Sequence, residues 1–335
     1  IEEKKLDEGT DYNSLQLKIF SMLPESLDRS EKPQIDEVLK FHGIDGTFIQ
    51  VDFKDYENKF DSFLSYLDEP VEDVSHFLNY LMFDAVQKQN IKVVLSGMGG
   101  DEIFGGYRPH IIRYLKDLLR KKRLFYLIKE LINMRQYIYP YLSKFIRRVF
   151  KLKKKIHSQI INTTEIEGYQ PAYAIDNLAD LLHFDLIDGY AHLLLRMQDI
   201  TSMIWPIEIR SPFLHHPMVE WAFSLPLSTK IHDGYTKYIL RQAGKSYIPD
   251  SVRLLKAKVG FPSSEKSWAV KALKQNIKEI EALHPYLEPY INTSKLKWFY
   301  SRILAKRREE DIQLFWKIVI FGRWMKKMKD KGILK

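Results

Sequence analysis

The chain has 335 residues, of which 45% are hydrophobic and 28% charged, with a net charge of +9 and no cysteine. This is the make-up of a globular protein with a sizeable core. Without cysteine, disulfides, thiolate nucleophiles and zinc–thiolate centres are excluded, and no apolar run approaches the roughly 18 residues that span a bilayer.

The opening residues are charged and carry no apolar period, which is neither a signal peptide nor a regular element. The run LQLKIFSML alternates apolar and polar residues and stops at Pro24, predicting a strand. QIDEVLKFHGI sets Ile35, Val38 and Leu39 at helical spacing and ends at Gly43, predicting a helix with a glycine stop. GTFIQVDF (46–53) predicts a second strand, and Val74, Phe77, Leu78, Leu81, Met82 and Ala85 a second helix. IKVVLS (91–96) is a short unbroken apolar run, as in a strand buried on both faces. Strand and helix in alternation imply a parallel sheet flanked by helices, an α/β fold.

From 108 to about 165 the pattern is helical, broken near Pro140 and rich in Lys and Arg. The expectation is a solvated face with the leucines and aromatics turned inward, although such a basic surface could also attract nucleic acid, an anionic membrane or an anionic protein. From 170 onward the chain is mostly helical, with prolines at 206, 212, 217, 226, 249 and 262 marking turns. A second basic cluster, FGRWMKKMKDKGILK, closes it.

VVLSGMGGDEIFGGY (93–107) puts five glycines and two carboxylates directly after the buried-strand run. In open parallel sheets ligands bind beyond the carboxyl ends of the strands. Glycines let the backbone approach an anion, a helix start favours negative charge, and Asp101 could hold Mg²⁺. An ordinary strand-to-helix turn would have the same spacing. GxxxxGK[ST] and HExxH are both absent.

LSGMGGDEIFGGY resembles the LSGEGADELFGGY signature of the asparagine synthetase family. LLRMQDITSMIWPIEIRSPFLHHPMVEWAFSLP (194–226), GYTKYILRQAGKSYIPDSVRLLKAKVGFPSS (234–264) and the closing LFWKIVIFGRWMKKM are similar to further motifs of that family, in the same order. The stretch least covered is 108–165. The resemblance implies an adenine-nucleotide α-hydrolase-like fold of the ATP-pyrophosphatase type. Its expected parts are a nucleotide-binding α/β portion (1–107), a basic helical insertion (108–169) and the helical remainder of the synthetase domain (170–335). The implied reaction uses ATP and Mg²⁺: a carboxylate attacks the α-phosphorus, pyrophosphate leaves, and an amine attacks the acyl-adenylate.

Residue by residue, the resemblance assigns Ser96, Gly97, Gly99 and Gly100 to the nucleotide, with the main chain of Met22 beside the adenine and its side chain free to vary. Asp101 is the implied metal–pyrophosphate ligand. Lys258 stabilises charge on the α-phosphate and leaving pyrophosphate, with Lys256 as its understudy. Asp199, Glu208 and Arg210 match the polar part of the middle motif, and Glu208–Arg210 is expected as an ordering pair. His215 replaces a family aspartate and is expected as a hydrogen-bonded core residue rather than a catalyst, while His216 is retained; Trp316 and Trp324 are expected in the core.

Three departures accompany the resemblance. The family's SGGxDS loop and its amino-terminal glutaminase domain are absent, so the sequence is expected to be a fragment of a longer amidotransferase. Met98 stands where a family glutamate handles protons, and a thioether cannot do so; Glu102 is the candidate to replace it. The acceptor expected is aspartate, with ammonia from glutamine; alternatives are another carboxylate (sugar acid, peptide or secondary metabolite) or a non-catalytic relic. A cytoplasmic location and a homodimer are also expectations, and nucleic acid is not an expected partner.

Overall fold

A computed structural model of the chain describes residues 17–23, 30–71, 74–135, 137, 160, 175–256 and 265–334. Strand β1 (Ile19–Leu23) pairs in parallel with β2 (Gly46–Gln50), and helix α1 (Lys32–His42) is the crossover between them. A proline in its first turn starts α1 where a missing N–H costs nothing, and Gly43 ends it at a φ of 64°. β2 stops at Gln50 rather than Phe53 because Asp52 caps a helix not anticipated above, α2 (Phe53–Leu64). The Asp52 carboxylate accepts the Asp55 N–H at 2.9 Å, and Asp55 accepts the Asp52 N–H at 3.3 Å.

Helix α3 (Ser75–Gln87) falls where the apolar spacing put it and leads to β3 (Val93–Leu95). The parallel partner of β3 is β4 (Glu208–Arg210), from the far side of the sequence. The expectation that β3 is buried on both faces fails: Val93 is 41% and Leu95 66% exposed. Only Val94 faces inward, onto a cluster of Phe83, Val86 and Ile207 that Phe20 of β1 and Ile209 of β4 also join. Thus α3 underlies both strand pairs, while nothing described covers the opposite face of β3. The fold is α/β with parallel strands flanked by helices, but among the described residues the strands form two separate parallel pairs and a small hairpin.

The remaining helices are α4 (Gly100–Phe104), α5 (Arg108–Arg120), α6 (Leu124–Asn133), α7 (Leu178–Ile187), α8 (Tyr190–Met203), α9 (His216–Ser224) and α10 (Leu227–Lys230). After hairpin β5 (Ile231–His232) and β6 (Tyr235–Thr236) come α11 (Tyr238–Ala243), α12 (Asp250–Arg253), α13 (Glu265–Gln275), α14 (Ile277–Glu281), α15 (His284–Leu287), α16 (Leu296–Lys306) and α17 (Glu309–Asp330). The principal core joins α2 and α3 to α13, α16 and α17. Tyr56 packs against Phe60 with tilted rings 4.6 Å apart and meets Trp316 edge-on at 5.1 Å, with Phe63, Phe77, Trp268, Phe299 and Phe315 in the same cluster. Fully burying a large apolar side chain such as Phe60 stabilises by roughly 1.5–3 kcal/mol. Trp316 is buried, and the half-buried Trp324 packs on the same core with its indole N–H donating to the Leu67 carbonyl at 3.3 Å.

The basic stretch departs from its expected inward-facing pattern. α5 follows it, burying Ile111, Tyr114 and Leu118. α6 inverts it, with Leu124, Phe125, Tyr126, Ile128, Leu131 and Ile132 all exposed and Glu130 buried. The cause is the β5–β6 hairpin, whose Asp233 and Gly234 N–H groups donate to the Glu130 carboxylate at 2.8 and 2.9 Å. Turning Glu130 inward turns the apolar side chains out. Apart from Tyr137 and Ile160, residues 136–169 of the expected insertion (108–169) lie outside the described residues.

Candidate active site

The loop after β3 is tied down by Ser96. Its N–H donates to the Arg210 carbonyl at 2.8 Å, prolonging the β3–β4 ladder. Its hydroxyl accepts the Met98 N–H at 3.2 Å and the Gln198 side-chain amide at 3.1 Å. Gly97 is exposed, and a Cβ there would meet nothing within 4 Å, so its face is open to a ligand. Gly99 and Gly100 are different. Gly99 has φ +93° and a Cβ there would lie 2.4 Å from Leu214, while one on Gly100 would touch Phe213 at 3.4 Å. These two glycines let the loop close on the Pro212–Leu214 turn, so the side that lacks a Cβ meets protein. Met22 sits near the carboxyl end of β1; its side chain, expected to be free to vary, is buried in the principal core.

Past the loop, Asp101 faces Lys237. The Lys237 ammonium is 3.0 Å from Asp101 Oδ2, and both side chains are partly exposed. Gly106 makes this pairing possible, since a Cβ at that position would sit 1.7 Å from Asp101 Oδ1 and 2.6 Å from Lys237 Cε. Asp101, Gly106, Thr236, Lys237 and Arg241 form one wall of a cavity of about 630 Å³, with Ser21 of β1 and α1 residues such as Gln34 opposite. Arg241 is fixed by donating Nε to the Thr236 carbonyl at 2.8 Å and Nη1 to the Arg253 carbonyl. Burial draws its pKa down from the usual arginine value. The preference for negative charge expected of a helix start therefore comes from elsewhere: α4 has five residues and sums few peptide dipoles, whereas Lys237 and Arg241 bring formal charge.

Glu102 turns away from this cavity. It is 1% exposed, and the Tyr107 phenol donates to its Oε1 at 2.5 Å. Behind it, the Tyr107 N–H donates to His110 Nδ1 at 3.2 Å, which leaves Nε2 to donate to Asp185 at 2.7 Å. Burial, reinforced by the Glu102 hydrogen bond, pushes the Tyr107 phenol far above its ordinary pKa. The proton-handling role expected of Glu102 has no support in this geometry, because its carboxylate is committed to anchoring α4 from behind. Met98 is half-buried and offers no group to replace it.

Lys258 lies outside the described residues. Lys256 sits 4.6 Å from the centre of the Tyr235 ring, near the Asp233 carbonyl, and does not line the cavity. Arg210 and Glu208 do pair, at 2.9 Å, on an exposed edge, and Asp199 is exposed. His215 is not a core residue but is exposed, and its neighbour His216, with an 83% exposed side chain, lies 3.5 Å from Glu220. Lys237 and Arg241 line the cavity beside Asp101, although the resemblance assigns neither of them a role. Both are letters of GYTKYILR, and Lys237 carries a further mark, a φ of 51° that few non-glycine residues adopt.

For a divalent cation the donor set is sparse but suitable. Among the described residues, Asp101 and Glu31 are the carboxylates on the cavity wall. Mg²⁺ is commonly held by one or two carboxylates with substrate phosphates supplying the rest, so Asp101 fits such an ion together with a polyphosphate. The tighter trio of Glu130, His232 and Asp233 lies off the cavity, and Lys129 is already 2.6 Å from Asp233.

Comparison with known proteins gives a consistent result. Residues 9–326 match the family described as asparagine synthase. The chain is 22% identical over 335 aligned residues to asparagine synthetase [glutamine-hydrolyzing] 1 of Bacillus subtilis, covering 92% of this chain and 52% of that protein. It is 25% identical over 212 residues to asparagine synthetase [glutamine-hydrolyzing] 3 of the same organism, covering 58% and 30%. It is also 26% identical over 284 residues to the amidase chry2 of Gibberella zeae, covering 72% and 42%. The chain thus spans about half the length of these relatives, or less.

Proposed function

The chain belongs to the asparagine synthase family, and from that premise we propose that it carries the adenylating half of an ATP-dependent amide synthesis. The family's fold is of the adenine-nucleotide α-hydrolase-like type, and its kinship supports ATP-dependent amidation in general. The acceptor carboxylate attacks the α-phosphorus, the bond to the β-phosphate breaks, and pyrophosphate leaves. Ammonia then attacks the acyl carbon, loses a proton and expels AMP. Aspartate is the acceptor and glutamine the ammonia source, through a glutaminase domain of the longer protein.

The observation that carries this reading is the Asp101–Lys237 pair with Arg241 on one wall of the 630 Å³ cavity. Asp101 would hold Mg²⁺, which would offset the negative charge of the phosphates. Lys237 and Arg241, with Lys258, stabilise negative charge as it moves onto pyrophosphate. Ser96 and Gly97 flank the nucleotide at the open face of the loop, beside the main chain of Met22. β1 and β3 each have a single ladder partner among the described residues. A further strand carrying the SGGxDS loop has a free edge to join there.

Met98 favours a second reading, in which the acceptor is a carboxylate other than aspartate; similarity to a protein named an amidase fits it. Pyrophosphate release by the full-length protein with ATP and Mg²⁺, screened over candidate acids, separates the two. Aspartate-dependent release with asparagine as product is expected, and Asp101→Ala is expected to lower it by about 10²-fold or more. Release unaffected by Asp101→Ala, or none with any acid, would overturn the assignment.

A further inference from the structure

We infer that the α5–α6 hairpin seats the protein on an anionic lipid surface. Leu119, Leu124, Phe125, Ile128, Leu131 and Ile132 are between 41% and 76% exposed, with Phe125 the most so. Five of them fall within the ten residues of α6 and form one outward stripe, because Glu130 is held inward by the β5–β6 hairpin. So many large side chains on so short a helix exceed the scattered exposure of an ordinary surface.

The charges around the stripe identify its partner. Between Arg108 and Arg135 the sequence has nine Lys and Arg and two acids, Asp117 and Glu130, both buried. Lys116 and Arg120 are drawn to Asp176, and Lys129 to Asp233. Lys121, Lys122 and Arg123 are exposed and have no ion pair among the described residues. They lie on the turn that leads directly into the stripe. No acidic residue occurs from 131 to 164, a stretch with further lysines and arginines. Beside the stripe, an apolar slot of about 300 Å³ lies between Ile112, Leu115, Leu119 and Leu127, with Arg108 and Lys116 also lining it.

Apolar side chains pointing outward with uncompensated cations beside them match a bilayer interface, where acyl chains lie beneath anionic headgroups. Nucleic acid would satisfy the cations and leave the leucine and isoleucine stripe in water. A protein groove would require acidic groups placed to meet Lys121, Lys122 and Arg123, whereas an anionic membrane supplies them at any orientation. The stripe belongs to a helix of ten residues with one apolar face, the form of a segment that lies in the interface plane.

The test is co-sedimentation of the full-length protein with phosphatidylcholine vesicles, with and without phosphatidylglycerol. Binding is expected only when phosphatidylglycerol is present, and it should weaken as salt rises. Lys121→Gln/Lys122→Gln is expected to weaken it about 25-fold, at roughly fivefold per charge. Phe125→Asp/Ile128→Asp is expected to weaken it at least as much. All four positions are exposed, so circular dichroism and melting should stay native. The inference is overturned by absence of binding to anionic vesicles, by equal binding to neutral ones, or by folded variants that bind as the native protein does. Self-association that Phe125→Asp/Ile128→Asp abolishes, without vesicle binding, would assign the stripe to a second copy and overturn it equally.

Discussion

Replacing Gly106 by alanine adds one methyl group at the point where the candidate site is tightest. Gly106 is not among the glycines with positive φ, so alanine meets no backbone penalty, and the effect lies in the contacts. The new Cβ would stand 1.7 Å from Asp101 Oδ1, against the 3.4 Å at which ordinary contact begins, and 2.6 Å from Lys237 Cε. Asp101 must therefore retreat by about 1.7 Å and Lys237 by about 0.8 Å, and the cavity they border gives them somewhere to go. Overpacking costs about 1–3 kcal/mol, and this site is at the low end because its neighbours are movable side chains. Losing a partly exposed ion pair adds at most ~1 kcal/mol. Catalysis is more sensitive, since a misplacement of about 1 Å can cost on the order of 10²-fold. Gly106→Ala is thus expected to melt only a few degrees below the native protein while pyrophosphate release falls about 100-fold and needs more Mg²⁺. A variant releasing pyrophosphate at the native rate and with the native Mg²⁺ dependence would refute the idea that Asp101 and Lys237 act from their present positions.

Gly97→Ala should show the reverse balance: its Cβ meets nothing within 4 Å, so stability should stay within about 0.5 kcal/mol while ATP-dependent activity falls. Native activity in that variant would remove Gly97 from the nucleotide face. Lys230 is 1% exposed, donates to the Ile103 carbonyl at 2.7 Å, and is drawn down to a pKa of about 8 by burial. Between pH 8 and the ordinary lysine range the unfolded chain therefore binds a proton that the folded protein does not, so this group's contribution to stability rises with pH and is lost as pH falls through about 8. Urea unfolding from neutral to alkaline pH should show the native protein gaining on Lys230→Met by up to about 3 kcal/mol, and a constant difference would contradict the assignment. Tyr107→Phe strips the buried Glu102 of its phenol donor and should cost about 1–3 kcal/mol in the same measurement. An unchanged urea midpoint would mean that Glu102 finds another donor.

The long apolar periods were legible before the structure: α1 with its Gly43 stop, α3, and the strand ahead of Ser96 stand where spacing put them. The motif at 93–107 was legible as a place where a ligand could bind, but its glycines do not share one purpose. Gly97 is open, Gly99 and Gly100 admit Leu214 and Phe213, and Gly106 admits a carboxylate and an amine. Those neighbours come from distant positions, and a sequence pattern cannot display them. The same limit hid β4, whose three residues form a strand only because β3 lies alongside. It hid the inward turn of Glu102 and Glu130, since a buried carboxylate depends on donors contributed by other segments. Lys237 was visible as a letter in a matched motif, but its role follows only from meeting Asp101.

The pairing of β3 with β4 also orders events in time. Val93 meets Glu208 about 115 residues later in the chain. At a synthesis rate of ~5–20 residues per second, β3 waits on the order of ten seconds for the strand that completes its ladder. During that interval the loop bearing Asp101 has neither its Arg210 anchor nor its lysine, so the candidate site cannot assemble before Lys237 has been made. The wait is long, yet lengthening it is inexpensive, because each doubling of a closed loop adds only about 0.6 kcal/mol. The interval between β3 and β4 is therefore a place where evolution can insert residues with little penalty to the fold, and the basic helices α5 and α6 occupy it.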